Sequence, residues 1–263
     1  KYEIIVADDF STDETLAIIS TYKKQYPTLF KILKTHKNHG ITKNYKRAFN
    51  ECSGTYVAVL EGDDYWISPN KIKLQIDFLE KNLDCSFCSH QLFIHNEVNN
   101  SIRVANILSE KKFSTEDLIH HNFIMNFSTC LYRNNVIKQL PDSIYEINTQ
   151  DWMFNIMNSQ YGKIGYINHP LSVYRLHSSG LWSSSSDKKN SEMLLKAIDD
   201  YDQILNKKYT NEFQKVRSRL TLGAICFRKF KSLVALLLPQ IIVNLIVFLK
   251  KFRKNKGSFI ICR

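Results

Sequence analysis

The sequence lacks several patterns that would define its class at once. Its six cysteines, at positions 52, 85, 88, 130, 226 and 262, have no framework-like spacing, and the single Cys-x-x-Cys pair at 85–88 has no second pair and no His pair nearby. We therefore expect neither a disulfide scaffold nor a zinc site, but buried thiols in a reducing compartment. A Gly-rich, basic phosphate loop near the N-terminus is also lacking, which disfavours a nucleotidyltransferase.

Acidic residues are outnumbered, with 25 Asp and Glu against 36 Lys and Arg, and the formal net charge is +11. Such a charge is typical of chains that meet nucleic acids, anionic membranes or phosphorylated ligands, and alone it does not choose among them. Hydrophobic residues make up 44% of the 263 positions and aromatic residues 12%, so a sizeable core is expected. The length fits one large domain or a domain with an appendage.

Residues 1–90 alternate strand and helix patterns at short intervals. Apolar runs at 2–7, 30–33 and 56–60 predict strands, and helical periodicity follows each of them. Ser11 and Glu14 have the spacing of a capping box at the start of the first helix. This alternation predicts an α/β fold with a mostly parallel sheet flanked by helices.

The chain changes character after residue 90. Short strands and helices mix up to about residue 183, residues 187–230 look helical, and residues 233–249 form an apolar segment with Lys and Arg on both sides. As a helix this segment would span about 26 Å, short of the ~30 Å hydrocarbon core of a bilayer. We expect the basic and apolar stretch 228–256 to lie along an anionic membrane surface, although burial against the domain would fit the same pattern.

Two acidic clusters follow predicted strands. Glu61-Gly62-Asp63-Asp64 comes directly after the strand at 56–60, and Asp8-Asp9 follows the strand at 2–7. Ligands bind at this end of the strands in α/β sheets. The first cluster offers oxygen ligands for Mg²⁺ or Mn²⁺, or else a solvated acidic turn. The second could bind a base or ribose, or simply begin a helix.

Five motifs in order then resemble family 2 glycosyltransferases, which have the Rossmann-like GT-A fold. Residues 4–15 resemble the second strand and nucleotide loop of the family, where Asp-Asp-Gly-Ser-Thr-Asp is usual, and residues 38–44 resemble its Asn-x-Gly helix entry. Residues 54–66 resemble the strand and D-x-D segment, residues 150–152 the catalytic-base motif, and residues 174–183 a later loop. The resemblance covers about two thirds of the chain.

The resemblance implies a role for each matching residue. Asp9 would contact the nucleobase with Asp8 nearby, Lys43 would face the diphosphate, and Glu61 and Asp63 would occupy the D-x-D positions. Asp63, Asp64 and His177 would bind Mn²⁺ or Mg²⁺, although a lone His is more often a structural hydrogen-bonding residue. Asp151 would be the general base, and Trp152 beside it would either shape the acceptor site or lie in the core.

The implied domain arrangement is a GT-A catalytic domain at 1–185, with a nucleotide-sugar half at 1–90 and an acceptor half at 91–185. A helical, partly hydrophobic extension would follow at 186–263. The chain opens with Lys1 in a strand-like run, so we expect that the first strand and helix of the family domain are lacking and that upstream sequence is missing.

The implied function is transfer of a sugar from a nucleotide-sugar, with UDP the expected nucleotide, to a hydroxyl of a glycan or lipid-linked acceptor. The reaction would be a metal-assisted, inverting single displacement in cell-surface polysaccharide synthesis, at the cytoplasmic face of the membrane. A nucleotidyltransferase or a non-catalytic, membrane-docked glycan- or nucleotide-binding protein remains the alternative. We expect no nucleic-acid partner, because the densest basic cluster adjoins the apolar segment.

Overall fold

The computed structural model of the protein describes residues 1–105, 108, 111–147, 151–178, 180 and 187–221. The chain divides after Val216 into two units, Lys1–Val216 and Arg217–Arg263. Of the second unit, the described residues 217–221 are helical. The predicted apolar segment 233–249 and its basic flanks lie outside the described residues, as does Gln150 of the catalytic-base motif. Across the described ranges, no helix combines the length and apolarity needed to cross a membrane.

The first unit alternates strands and helices up to residue 81 and then becomes mixed. Its strands are β1 Ile4–Val6, β2 Phe30–Ile32, β3 Tyr56–Ala58, β4 Tyr65–Trp66, β5 Cys85–Asn96, β6 Ser101–Ala105, β7 Lys112–Phe113, β8 Leu131–Arg133 and β9 Lys163–Leu176. Its helices are α1 Thr15–Gln25, α2 Ile41–Glu51, α3 Lys71–Lys81, α4 Thr115–His120, α5 Asn134–Ile137, α6 Asp151–Asn158 and α7 Asp187–Ile204. The strands and helices predicted for residues 1–90 are therefore present, with boundaries displaced by a few residues.

The strands form two sheets. β1 and β2 pair in parallel as a small sheet, and a 7-stranded sheet has the order β3-β8-β5-β9-β4, with β6 on β5 and β7 on β9. In the larger sheet, β5 and β9 are parallel, whereas β8, β4, β6 and β7 pair antiparallel to their neighbours. This arrangement places the end of β3 beside the turn that precedes β8.

The α/β fold class with helices around a central sheet is confirmed, but the sheet is mixed rather than mostly parallel. Local periodicity reveals strand–helix alternation only in residues 1–90, whereas the partners of β3 and β4 come from β8 and β9, far along the chain. Strands brought in from a distance are free of the crossover rule that makes neighbouring strand–helix–strand units parallel.

The predicted capping box at the start of α1 is wrong. Glu14 occupies the N-cap position without a side-chain hydrogen bond. The Ser11 hydroxyl instead hydrogen-bonds Asp8, and the amide of Thr15 donates to Asp13 Oδ1 at 3.0 Å. Ser11 is therefore part of the loop that follows β1, where its amide and its hydroxyl both hydrogen-bond the carboxylate of Asp8.

An aromatic cluster joins α2, α6 and the residues before β8. Phe49 stacks on Phe154 with ring centroids 4.9 Å apart, and the Phe127 and Phe154 rings meet edge to face at 5.4 Å. Tyr45 lies against Phe127 at 4.7 Å. Buried aromatic contacts of this kind stabilise the fold beyond their area. Here they join Tyr45 of α2, the residues before β8 and the first turn of α6.

The compact unit extends past the predicted domain boundary at residue 185. Trp152 and Tyr201 meet edge to face at 6.0 Å, and the Tyr209 hydroxyl hydrogen-bonds Gln160 Oε1 at 3.0 Å. Tyr201 is fully buried. Helix α7 and the residues after it therefore pack on the same core as α6.

Candidate active site

The acidic segment 61–64 forms a turn between β3 and β4. The amide of Asp64 donates to the carbonyl of Glu61 at 3.1 Å, and the amide of Glu61 donates to Ser128 Oγ at 3.0 Å. Both ends of the turn are therefore held, and Glu61, Asp63 and Asp64 lie where the sequence predicts, just beyond the end of β3. We call these four residues the acidic turn.

Glu61 is set into the aromatic cluster. Its Oε1 accepts a hydrogen bond from the Tyr45 hydroxyl at 2.9 Å. Burial and the nearby charge of Asp151 raise the pKa of Glu61 to about 8, against the opposing effect of the Tyr45 bond. In the unliganded protein near neutral pH, Glu61 is therefore largely protonated.

Asp63 has the most accessible carboxylate of the acidic turn. Its Oδ2 lies 3.2 Å from Nε2 of His177, and its carbonyl accepts a hydrogen bond from Arg175 Nη1 at 3.1 Å. The structure thus brings together two of the predicted metal ligands, which are more than a hundred residues apart in sequence. Carboxylate and imidazole are both ligands that Mn²⁺ accepts.

Asp64 is buried and its carboxylate is engaged by the protein. Its Oδ2 accepts from Asn126 Nδ2 at 2.6 Å, and its Oδ1 accepts from the amide of Arg175 at 3.2 Å. Burial raises its pKa, while hydrogen bonds from Ser128 and Arg175 oppose that rise. Asp64 ties the acidic turn to β9 and to the residues before β8, and its predicted metal contact stays a prediction.

Asp8 organises the loop after β1. Its Oδ2 accepts from the amides of Phe10 and Ser11, each at 3.0 Å. Phe10 has a φ of 71°, in the left-handed region that costs a non-glycine residue about 1–2 kcal/mol. The two hydrogen bonds to Asp8 stabilise this backbone conformation at Phe10. The family that the sequence resembles usually has Gly at this position.

Asp9 joins this loop to the helix entry at 38–40. Its carboxylate oxygens accept from the amides of His39 and Gly40 at 2.7 and 2.9 Å. The two motifs predicted to form the nucleotide site are therefore in direct contact. Each carboxylate oxygen keeps a second lone pair for a ligand, and the nucleobase contact of Asp9 stays a prediction.

Lys43 is exposed on α2 and pairs with a residue from the other half of the domain. Its Nζ lies 3.2 Å from Glu146 Oε2, and both side chains are more than half exposed. An exposed pair of this kind adds little stability, so Lys43 can exchange Glu146 for another anion. Its contact with a diphosphate stays a prediction.

Asp151 begins α6. Its Oδ1 accepts a hydrogen bond from the amide of Trp152 at 2.7 Å, and burial raises its pKa to about 6. A carboxyl group with that pKa is ionised at neutral pH and more basic than an ordinary Asp, as a general base requires. The next residue, Trp152, is buried and donates its indole N–H to the carbonyl of Leu118 at 2.9 Å. Of the two interpretations of Trp152, the core position is therefore the observed one.

Two carboxylates of the acidic turn and that of Asp151 act electrostatically on the same two tyrosines, Tyr45 and Tyr174. The charges of Glu61, Asp151 and Asp63 all add to burial in raising the pKa of Tyr45, and the same three charges, with that of Asp64, add to burial in raising the pKa of Tyr174 to about 12. No motif of the sequence points to the hydroxyl of Tyr45, which hydrogen-bonds Glu61. Neither Asn126 nor Ser128 carries a motif that would have identified it.

Within the described part of the chain, no group of at least three His, Cys, Asp or Glu side chains could hold a metal ion. Asp63 and His177 nevertheless fit a divalent cation as two ligands of a site that a diphosphate and water would complete. Mg²⁺ is commonly bound this way, by one or two carboxylates together with substrate phosphates.

Comparison with known proteins identifies the family. The model for Glycosyl transferase family 2 matches residues 1–141, more than half of the chain, and the chain belongs to this family. The uncharacterized protein Rv1520 of Mycobacterium tuberculosis is 30% identical over 184 residues, which cover 70% of this chain and 52% of that protein. The chain thus spans about half the length of this curated relative.

Two solved structures share the fold. The structure of S. aureus TarS 1-349 in complex with UDP aligns with a TM-score of 0.53 and 18% identity, covering 79% of this chain and 62% of that one. The mannosyltransferase PcManGT from Pyrobaculum calidifontis, in complex with GDP-Man and Mn²⁺, aligns with a TM-score of 0.55 and 12% identity, covering 85% and 66%. The fold is that of the GT-A glycosyltransferases.

Proposed function

We propose that the protein transfers a sugar from a nucleotide-sugar, UDP-linked in the first instance, to a hydroxyl of a glycan or lipid-linked acceptor. The observation that carries the proposal is that Asp63 lies 3.2 Å from His177 and belongs to the same turn as Glu61, which accepts a hydrogen bond from Tyr45 at 2.9 Å. Tyr45 lies against Phe127, and Phe127 meets Phe154 of α6, so a continuous set of contacts joins the acidic turn to the helix that Asp151 begins.

The reaction is a single displacement at the anomeric carbon of the donor. The acceptor oxygen forms a bond to that carbon while the bond between the carbon and the diphosphate oxygen breaks. The electron pair of the broken bond leaves with the nucleoside diphosphate. Attack opposite the leaving group inverts the configuration. A divalent cation, when bound, neutralises charge that develops on the leaving group.

The residues of the chain divide this work. Asp151 accepts the proton of the acceptor hydroxyl. Asp63 and His177 would hold the cation, with Glu61 beside them, and Lys43 would face the phosphate charge. Asp9 orients the nucleobase, and Asp8 maintains the loop that presents Asp9. Membership of glycosyl transferase family 2 and the UDP and GDP-Man complexes of GT-A neighbours support these assignments.

Calorimetric titration of UDP into the purified 263-residue chain tests the donor site. We expect binding in the presence of Mn²⁺ that EDTA removes, because the cation links Asp63 to the diphosphate. Uridine, which lacks the diphosphate, is the matched control and should give no metal-dependent heat. If UDP, dTDP and GDP all fail to bind in the presence of Mn²⁺, the proposed function is wrong.

The charge pattern of the sequence supports a membrane surface as the place of action and a lipid-linked molecule as the acceptor. Lys and Arg flank residues 233–249, so 228–256 is proposed to bind an anionic membrane at its cytoplasmic face, where lipid-linked precursors of surface polysaccharides are available. The full chain should sediment with phosphatidylglycerol vesicles but not with phosphatidylcholine vesicles. A chain ending at residue 232 should stay in the supernatant with both, and its continued sedimentation would contradict the proposal.

A further inference from the structure

One short segment from later in the chain holds both ends of the acidic turn, which Arg175 of β9 also contacts. This segment, residues 126–129, precedes β8 and ends in the 3-10 turn Phe127–Thr129. Ser128 Oγ accepts the amide of Glu61, and Asn126 Nδ2 donates to Asp64 Oδ2. The Ser128 hydroxyl also opposes the rise in the pKa of Asp64. The first and last residues of the acidic turn, which flank Asp63, therefore take their position from this segment, which we call the supporting turn.

Two side chains, those of Trp66 and Gln75, hold the supporting turn. Trp66 donates its indole N–H to the carbonyl of Ser128 at 2.9 Å. Gln75 donates its amide N–H to the carbonyl of Thr129 at 2.9 Å and to that of Cys88 at 3.3 Å. Trp66 and Gln75 thus position the backbone of the supporting turn. Ser128 is part of that backbone, and its hydroxyl positions Glu61.

Lys71, in the first turn of α3, contacts both of these side chains. Its Nζ donates to Gln75 Oε1 at 2.8 Å and lies 4.2 Å from the centroid of the Trp66 ring. The amine of Lys71 donates in this contact, so the oxygen of the Gln75 amide faces it. The NH₂ group of Gln75 must then face the carbonyls of Thr129 and Cys88. Lys71 therefore determines the orientation in which Gln75 holds the supporting turn.

A structural role alone would not favour a lysine here. The side chain is 1% exposed, and within the described part of the chain it pairs with no carboxylate. Burial lowers its pKa to about 7, which reflects the cost of keeping the ammonium charged. An apolar residue of similar length would fill the space without that cost. What an apolar residue would lose is the orientation of Gln75 and the contact with Trp66.

We propose that Lys71 is a positioning residue for the acidic turn, acting through Gln75 and Trp66 on the supporting turn and so on Glu61 and Asp63. The inference rests on the proposed function in one respect: the proposed function assigns the acidic turn as the site of the cation and the diphosphate. Lys71 itself does not contact either ligand.

The test compares Lys71→Met with Lys73→Met in the full chain. Met keeps the length of Lys71 and removes its charge and hydrogen bond, whereas Lys73 is an exposed lysine on the same helix that pairs with Asp77. We expect Lys71→Met to weaken Mn²⁺-dependent UDP binding by roughly tenfold, as expected for losing one oriented hydrogen bond, while its thermal midpoint is unchanged or higher. Lys73→Met should bind UDP within about twofold of the original chain.

Hydrogen exchange at the Glu61 amide gives a readout that needs no nucleotide. That amide donates to Ser128 Oγ, so Lys71→Met should make it exchange roughly tenfold faster while amides in β5 keep their rates. Unchanged exchange at Glu61, or unchanged UDP binding with a lower thermal midpoint, would reduce Lys71 to a purely structural residue and overturn the proposal.

A second variant protects the test against a misfolded Lys71→Met protein. Ser128→Ala removes only the hydroxyl that accepts the hydrogen bond from the Glu61 amide, and it should reproduce the faster exchange and the weaker binding. The double variant should be no weaker than Ser128→Ala alone, because both changes act through one contact. If the original chain binds no nucleotide, the proposed function fails, and the exchange rate of Glu61 still decides whether Lys71 positions the turn.

Discussion

The Asp151→Asn variant is expected to bind UDP as the original chain does and to lose sugar transfer by about 10²–10⁴-fold, the usual contribution of a general base. Asn has the shape of Asp and can still accept the hydrogen bond from the amide of Trp152, so the start of α6 is preserved. It cannot accept a proton from the acceptor hydroxyl. Initial rates of UDP release with a donor sugar and acceptor, beside calorimetric titration of UDP, measure both properties.

The control for this variant is Asp142→Asn. The side chain of Asp142 is 82% exposed and pairs with Lys46, so the same chemical change there should leave both the rate and the affinity nearly unchanged. Loss of UDP binding together with transfer in Asp151→Asn would mean that Asp151 holds the donor site together. Retention of full activity would exclude it as the base.

The pH profile provides a second readout on the same base. Burial raises the pKa of Asp151 to about 6, and the base is active only when ionised. The turnover rate at saturating donor and Mn²⁺ should therefore be level above about pH 7 and fall about tenfold per unit as the pH drops below 6. An ordinary Asp would keep its activity down to about pH 4. A profile without a fall near pH 6 would contradict the environment described for Asp151.

The Asp63→Ala variant is expected to lose the metal-dependent part of UDP binding. Its residual affinity in Mn²⁺ should equal that of the original chain in EDTA, a loss of about a hundredfold, because even groups beside a metal ligand change affinity by about ten- to a hundredfold. Asp63 is suited to this role because its carboxylate is accessible and lies 3.2 Å from His177. Calorimetric titration of UDP with and without Mn²⁺ measures both affinities.

Asp84→Ala is the matched control for the loss of one exposed carboxylate. The Asp84 side chain is 45% exposed against 47% for Asp63, and it pairs with Lys112 and Lys163 at the other end of β5. EDTA should lower the UDP affinity of Asp84→Ala as much as it lowers that of the original chain. If Asp63→Ala also keeps that response, the cation binds elsewhere and the D-x-D assignment is wrong.

Much of the first half of the fold was predictable because its information is local. Apolar runs at 2–7, 30–33 and 56–60 mark strands, and the acidic clusters fall just after two of them. Polar side chains at the ends of neighbouring parallel strands meet at one edge of a sheet, so a meeting of the loops after β1 and β2 follows from the alternation itself. The contact of Asp9 with His39 and Gly40 agrees with that expectation.

Other features could not be derived from neighbouring residues. Trp152 follows the predicted base directly, yet its neighbours Leu118 and Tyr201 lie more than thirty residues away on either side. Tyr45 looks like any other residue on the apolar side of α2 until Phe127 and Glu61 are placed around it. A helical pattern identifies the face that is buried but not the side chains that cover it.

The sequence by itself determined the family, the α/β alternation and the residue types that could hold a cation or accept a proton, because each depends on motifs of a few consecutive residues. Only the tertiary structure decided how those residues are used. It makes the sheet mixed, pairs Asp63 with His177, engages Asp64 within the protein, and supports the acidic turn from Ser128 and the buried Lys71. The reason is physical: the pairing of β3 with β8 and of β4 with β9, and the contacts of the acidic turn with Asn126, Ser128 and His177, join segments more than sixty residues apart, whose meeting no local pattern encodes.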